Sequence, residues 1–217
     1  MNQAAILKLE NVTIYQGNNL VLKEISLDIV NGEFAYLIGK TGSGKSSLLK
    51  TIYGELPLKN GNGIVAGFDL NNIKQSKIPF LRRKLGIVFQ DFQLLSDRTV
   101  KENLTFVMKA TGWKDKKKMD RAVDEMLEKV HLNNKGYKMP HELSGGEQQR
   151  AAIARALVND PEIIIADEPT GNLDPETSER IMALLFEIKN QGKSVLMATH
   201  DLRSEEHTSE LQSPCNL

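Results

Sequence analysis

The sequence is poor in cysteine and has no excess of charge. Its 217 residues include one cysteine, Cys215, which excludes an internal disulfide framework and a cysteine-based zinc site. The 28 basic and 28 acidic side chains cancel, so the basic bias that favours non-specific nucleic-acid binding is absent. No apolar run approaches the roughly 18 residues of a membrane span, and the first five residues show no secretory signal. We expect a cytoplasmic protein that reaches a membrane only through a partner.

Short apolar segments alternate with helical patterns along most of the chain. Hydrophobic residues make up 40% of the sequence, which is enough for a packed core. The predicted strands are 6–14, 20–29, 34–38, 86–89, 162–166 and 194–198, and the predicted helical stretches are 45–53, 99–157 and 175–189. Strands that alternate with helices indicate an α/β domain with a mainly parallel sheet.

A glycine-rich loop follows the predicted strand 34–38. Residues Gly39, Lys40, Thr41, Gly42, Ser43, Gly44, Lys45 and Ser46 match G-x-x-x-x-G-K-[ST] at every fixed position, and Ser47 completes the predicted ATP-binding set. The glycines let backbone N–H groups converge on phosphate oxygens, and the helix that follows presents the positive end of its dipole. Lys45 is predicted to reach the β- and γ-phosphates, and Ser46 to ligate Mg²⁺. The alternative is a chance glycine turn.

Two acidic residues end the buried strand 162–166. Asp167 is predicted to hold Mg²⁺, directly or through water. Glu168 points another way and is predicted to orient, or accept a proton from, the water that attacks the γ-phosphorus. The alternative is a solvated pair of acids at a strand end.

Two consecutive glycines later in the chain narrow the class of nucleotide-binding protein. Leu143, Ser144, Gly145, Gly146 and Glu147 precede a helical pattern. A capping box between Ser144 and Glu147 accounts for those two residues but not for two consecutive glycines, which permit an anion to approach bare N–H groups.

With these motifs the sequence resembles the ATP-binding cassette family from about Leu7 to Asp201. The resemblance implies a P-loop NTPase fold with a mainly parallel core sheet, an N-terminal antiparallel β part and a helical insertion at about 91–158. It implies a head-to-tail homodimer in which Ser144, Gly145 and Gly146 act on the ATP held by Lys45 of the other copy. ATP closes the dimer and hydrolysis opens it.

The resemblance also gives roles to four further residues. Tyr15 matches the aromatic residue that stacks on adenine, although an ordinary strand aromatic is the alternative. Gln90 matches the Q-loop glutamine, which contacts Mg²⁺ and the attacking water. Asp174 matches the D-loop at the dimer seam. His200 matches the switch histidine that contacts the γ-phosphate, although a lone histidine at a strand end is more often structural.

Residues 78–100 resemble the cell-division branch of the family, through 89–91 and 95–100 in particular. Lipoprotein-release and macrolide-export ATPases are the alternative within the family. The cell-division branch implies an integral membrane partner of the FtsX type at the inner face of the bacterial membrane. Phe92, Leu94 and Leu95 line either the groove for that partner or the core of the insertion.

Other function classes make weaker use of the motifs. A P-loop kinase has no use for residues 143–150, and cassette proteins of DNA repair or translation carry coiled-coil insertions or two cassettes. A nucleotide sensor that hardly hydrolyses ATP remains an open alternative.

The C-terminal residues 203–214 resemble a translated sequencing adapter. We therefore expect the natural domain to run to about Asp201 and 202–217 to be a non-native tail.

Overall fold

The computed structural model describes residues 5–200 and 212–216. The strands are β1 Ala5–Gln16, β2 Asn19–Val30, β3 Phe34–Ile38, β4 Asn60–Val65, β5 Phe68–Asp69, β6 Leu85–Val88, β7 Ile163–Asp167, β8 Ser194–Thr199 and β9 Gln212–Asn216. The helices are α1 Lys45–Ile52, α2 Ile78–Arg83, α3 Val100–Ala110, α4 Lys116–Lys129, α5 Gly145–Leu157 and α6 Pro175–Asn190. Among these helices none combines the length and the apolar character needed to cross a membrane.

The N-terminal part is an antiparallel sheet with the order β2-β1-β4-β5. A two-residue turn joins β1 to β2, and β1 also pairs with β4, where Leu7 lies opposite Val65. The predicted antiparallel part is confirmed, but β4 and β5 were not predicted. Glycine and asparagine dominate the start of β4 and conceal it. Gly61 is needed there because it has a φ of 83° and a Cβ at this position would lie 2.6 Å from Val12 Cα, a backbone atom of β1.

The second sheet is parallel and has the order β6-β7-β8-β3-β9. Strands β3 and β8 are buried throughout, which explains why both read as continuous apolar runs. Ile38 pairs with Thr199, and Asp167 pairs with Ala198. The carboxyl ends of β3, β7 and β8 therefore meet at one edge, which is where open α/β sheets bind their ligands.

Helices α3, α4 and α5 form the insertion between β6 and β7, two strands that pair directly. Each of the three helices begins at a side-chain cap, supplied by Thr99, Asp115 and Ser144 respectively. The predicted apolar face of α4 is confirmed: Val123, Leu127 and Val130 are buried, and Met126 packs against the same cluster. The lysine-rich start of α4 is exposed, as expected.

Strand β9 lies beside β3 in parallel, with Gln212 opposite Phe34. The sequence pattern gives no indication of this strand. Asp201, the predicted end of the natural domain, and residues 202–211 and 217 of the predicted non-native tail lie outside the described residues.

Candidate active site

The predicted phosphate loop, residues 39–47, joins β3 to α1. The Gly39 N–H donates to the Thr199 carbonyl over 3.4 Å, which ties the loop to the end of β8. Gly42 and Gly44 have φ angles of 81° and 99°, in the left-handed region that glycine adopts readily. Gly44 also lacks room for a side chain, because a Cβ there would lie 2.8 Å from Val21 Cγ1. The loop shape therefore depends on glycine for two separate reasons.

Lys45 is buried at the start of α1, with 4% of its side chain exposed. Its ammonium donates to the Gly39 carbonyl over 2.7 Å and to the Lys40 carbonyl over 3.2 Å, and it lies 3.3 Å from Oε1 of Glu168. The cation is thus held over the loop that is predicted to carry the phosphates. A phosphate oxygen there would share the ammonium with Glu168.

The hydroxyls of the loop are suited to oxygen-rich ligands. Ser43 Oγ is buried and has no hydrogen-bond partner among the described residues, so it is available to donate to a phosphate oxygen. Lys40, Thr41 and Ser46 are exposed along the loop, whereas Ser47 is half-buried.

Asp167 ends β7 beside Ser46, with which it shares a side-chain hydrogen bond. Burial raises the pKa of the Asp167 carboxyl, and the negative charge of Glu168 adds to this effect. The hydrogen bond with Ser46 and the charge of Lys45 act in the opposite direction. A partly desolvated carboxylate next to a serine hydroxyl is the kind of oxygen pair that Mg²⁺ takes in phosphoryl-transfer sites.

Glu168 connects two predicted site residues. Its Oε1 faces Lys45, and its Oε2 lies 2.9 Å from Nδ1 of His200. Its own backbone has a φ of 47°, which is uncommon for a residue with a side chain and fits a functional position. The sequence predicts all three residues as parts of one site but gives no sign that the carboxylate joins the lysine to the histidine.

Gln90 lies two residues after β6 and contacts Asn172, in the loop that leads from β7 to Asp174 and α6. Its Nε2 donates to Asn172 Oδ1 over 3.3 Å, and Asn172 Nδ2 donates to the Gln90 carbonyl over 3.1 Å. Gly171 permits this approach, because a Cβ there would lie 2.9 Å from Gln90 Nε2. Asn172 is a partner that the sequence analysis missed, since an asparagine beside a glycine is typical of an ordinary turn.

Residues 143–147, here called the signature end, form the start of α5. Leu143 is buried, and Ser144 and Glu147 form the capping box: Ser144 N donates to Glu147 Oε2 over 2.9 Å, and Glu147 N to Ser144 Oγ over 3.3 Å. Glu147 also forms an ion pair with Lys135. The structure thus assigns Ser144 and Glu147 a capping role.

Both glycines of the signature end also have packing reasons. A Cβ on Gly145 would lie 3.3 Å from Leu173 Cδ2 and 3.8 Å from the Phe92 ring. A Cβ on Gly146 would clash with Cγ2 of Thr177 in α6. The sequence argument assigned these glycines to anion approach alone, and the contact with α6 was missed because it depends on tertiary structure.

Asp174 and Tyr15 occupy ordinary structural positions. Asp174 caps α6, and its Oδ1 accepts a hydrogen bond from Thr177 N over 2.9 Å. Hydrogen bonds from the side chain of Thr177 and then from its backbone lower the pKa of the Asp174 carboxyl. Tyr15 lies half-buried near the end of β1 opposite Leu20, with Lys59 Nζ 5.8 Å from its ring centroid. The hairpin end that carries Tyr15 adjoins the phosphate loop through Val21.

Comparisons with known proteins agree with this geometry. The family model described as ABC transporter matches residues 22–171. The cell division ATP-binding protein FtsE of Streptococcus pneumoniae is 48% identical over 86% of this chain and 81% of its own length. FtsE of Bacillus subtilis is 47% identical over 86% of this chain and 82% of its own length.

A solved structure shares the fold. The dimeric ATP-binding cassette MJ0796, in a post-hydrolysis state bound to ADP and Pi, has a TM-score of 0.81 and is 36% identical, with 91% of this chain and 89% of that chain covered. The match extends over the parallel sheet and the antiparallel part together. The chain therefore belongs to the ATP-binding cassette family, that of the ABC transporter ATPases.

Proposed function

We propose that this chain is the ATP-hydrolysing subunit of a membrane complex that acts in bacterial cell division. The observation that carries the proposal is the meeting of the phosphate loop, Asp167 and Glu168 at one sheet edge, with Lys45 3.3 Å from Glu168. The names of the FtsE relatives supply the cell-division role. The dimeric cassette bound to ADP and Pi supports hydrolysis as the reaction.

The phosphate loop binds the triphosphate, and Tyr15 stacks on adenine. Ser46, Asp167 and Gln90 would hold Mg²⁺, which would supply charge neutralisation on the phosphate oxygens. Glu168 accepts a proton from the attacking water, and Gln90 and His200 orient that water and the γ-phosphate. The bond between His200 and Glu168 supports this assignment, because it holds the carboxylate at the mouth of the site.

Two copies act together in a head-to-tail dimer. The capping box uses the N–H of Glu147, the third residue of α5, so the first two N–H groups, of Gly145 and Gly146, remain directed toward an external anion. We assign that anion as the γ-phosphate of ATP on the other copy, with Asp174 and its loop at the seam. The dimeric form of the related cassette supports this arrangement.

An apolar groove between α2, α3 and α5 is suited to a membrane partner. It has a volume of about 410 Å³, and Leu85, Ile87, Phe89 and Phe106 contribute to its lining. Leu95 also lines this groove, whereas Leu94 packs against the core and Phe92 lies near Gly145. Leu95 therefore supports the partner groove as the role of these residues, and Leu94 supports core packing. We infer that an FtsX-type subunit docks here and holds the chain at the inner face of the membrane.

The proposed domain runs from residue 1 to 201, with 91–158 as a helical part that moves on ATP binding and 202–217 as a non-native tail. The placement of α3, α4 and α5 between two paired strands supports the division at 91–158. The chain enters this part after β6 and leaves it before β7, and the hydrophobic core of the part is continuous with that of the parallel sheet.

The test combines hydrolysis with partner binding. Phosphate release from Mg-ATP is measured for the purified chain, alone and with an FtsX-type membrane subunit in lipid nanodiscs. We expect Mg-dependent hydrolysis and a stable complex that Phe106→Glu, in the groove, disrupts. No hydrolysis under either condition would refute the ATPase. Binding to a lipoprotein-release subunit instead would refute the cell-division role.

A further inference from the structure

The segment that follows Gln90 has an unusual backbone. Phe92 and Gln93 have φ angles of 60° and 47°, so two consecutive residues with side chains adopt the left-handed region. Such conformations persist only when surrounding contacts hold them in place. The residues 90–95 are here called the Gln90 loop.

Arg155, near the end of α5, supplies that contact. Its Nη2 donates to the Phe92 carbonyl over 2.9 Å, and its Nη1 donates to the Gln93 carbonyl. The carbonyls of both left-handed residues are thus bound by one planar guanidinium, whose donors form a fixed fork. The side chain of Arg155 is half-buried, and burial lowers the pKa of its guanidinium, with the charge of Asp91 acting in the opposite direction.

The same loop also reaches the opposite end of α5. The Phe92 ring lies near Gly145, the first residue of the helix, because a Cβ added to Gly145 would lie 3.8 Å from Cζ of Phe92. Gly145 and Arg155 are ten residues apart, which corresponds to about 15 Å along a helix axis. The Gln90 loop therefore lies along α5, with its hydrogen bonds to Arg155 near one end and the Phe92 ring near the other.

We propose that Arg155 is a positioning residue that fixes the Gln90 loop to α5, so that Gln90 and the signature end move as one body. This inference rests on the proposed function, in which Gln90 acts on the ATP of its own chain and the signature end on the ATP of the other copy. A rotation of the helical part then displaces both groups together. Arg155 is not among the proposed ATP-binding or catalytic residues, and it acts on the site only through the Gln90 loop.

The backbone strain makes the proposal testable. Without the guanidinium, the loop relaxes out of the left-handed region, and Gln90 loses its place against Asn172. Glycine adopts positive φ at little cost, so with Gln93→Gly the loop can keep its conformation without the hydrogen bonds from Arg155. Gln93→Gly is therefore expected to rescue Arg155→Ala. Ala66→Gly is the matched control, because Ala66 has a φ of 46° but lies in the turn between β4 and β5.

The experiment uses the full chain and three measurements. Hydrogen exchange follows the amides of 90–95, fluorescence follows the binding of a labelled Mg-ATP analogue, and phosphate release gives kcat and KM. For Arg155→Ala we expect faster exchange confined to the Gln90 loop, unchanged analogue affinity, and a kcat lower by roughly tenfold. Arg155→Lys keeps the charge and the apolar stem but not the fork, and is expected to behave in the same way.

The double variants decide the outcome. Arg155→Ala with Gln93→Gly is expected to recover most of kcat, and Arg155→Ala with Ala66→Gly to recover none. Equal rescue by both glycines would show that Arg155 acts on general stability and would overturn the proposal. Unchanged exchange at 90–95 in Arg155→Lys and Arg155→Ala would also overturn it. The exchange result is independent of hydrolysis, so an inactive wild-type chain would refute the proposed ATPase while leaving this inference to be judged by exchange alone.

Discussion

Nζ of Lys45 lies 3.3 Å from Oε1 of Glu168, which joins the phosphate loop to the end of β7. The pair is buried, since 4% of the lysine side chain and 15% of the glutamate side chain are exposed. A γ-phosphate that binds Lys45 must share the ammonium with Glu168. In the proposed mechanism, binding of the triphosphate would free the carboxylate to face an attacking water, so that ATP binding precedes activation of the water.

Replacing Glu168 by glutamine removes the proposed base and keeps the shape of the side chain. We expect Glu168→Gln to bind Mg-ATP and to lower hydrolysis by about 10²- to 10⁴-fold, the usual contribution of a general base. Because hydrolysis is proposed to open the dimer, this variant should accumulate as a closed dimer with ATP. Phosphate release and size-exclusion chromatography with Mg-ATP measure the two effects.

A matched control for that variant is Glu162→Gln. Glu162 precedes β7 at the far end of the strand and forms an exposed ion pair with Lys84. The Glu162→Gln variant should hydrolyse ATP at the wild-type rate and should show the wild-type equilibrium between monomer and dimer. Rapid turnover by Glu168→Gln would contradict the assigned role.

Lys45→Ala is expected to abolish nucleotide binding. The change removes a buried, charge-assisted contact with the phosphates, and losses of this kind weaken binding by at least about 100-fold. Titration with a fluorescent ATP analogue measures the affinity. Lys50→Ala is the control on the same helix, because Lys50 pairs with Glu55 at the surface. Tight Mg-ATP binding by Lys45→Ala would refute the role of the phosphate loop.

The sequence predicts the elements that carry the site because each has a local signal. The strands β3, β7 and β8 are short apolar runs, and the phosphate loop has fixed glycine spacing. The element boundaries agree within two residues for α1 and α6. Strand β4 is different, because its glycines and asparagines are tolerated only through pairing with β1.

Contacts between distant segments could not be predicted. The bond between Gln90 and Asn172 spans 82 residues, and that between Arg155 and Phe92 spans 63. Neither leaves a periodic or compositional signal, since each arises only when separate elements pack. The sequence therefore identifies the individual site residues, whereas the structure shows how they constrain one another.

Glu147→Gln tests the electrostatics of the signature end. The ion pair with Lys135, followed by the hydrogen bond from Ser144 N–H, lowers the pKa of Glu147 below its ordinary 4.5. The unfolded chain then binds more protons than the folded chain between the two pKa values, so stability rises with pH in that window. The contribution is complete above pH 4.5 and declines as the pH falls through the folded pKa.

Glutamine keeps the capping geometry and removes only the charge. We expect Glu147→Gln to lower the free energy of unfolding by about 0.5 kcal/mol at pH 7, as for other partly exposed ion pairs. The difference should shrink below pH 4.5 and in high salt, and urea unfolding across pH measures it. A deficit that stays constant down to pH 3 would show that the charge is not its cause.

Substitutions at Gly146 and Thr177 distinguish the packing role of Gly146 from its proposed role in phosphate binding. Gly146→Ala places a methyl group against Cγ2 of Thr177, and such overpacking costs about 1–3 kcal/mol of stability. Thr177→Ser removes that Cγ2 and keeps the backbone N–H that bonds Asp174, so the double variant should regain stability in urea unfolding. If the signature end also receives a phosphate, the added methyl group still hinders its approach, and hydrolysis stays low in the double variant. Thr177→Ser alone is the control and should hydrolyse ATP at the wild-type rate. Full activity in the double variant would mean that Gly146 serves helix packing only, and that the anion is bound elsewhere at the dimer seam.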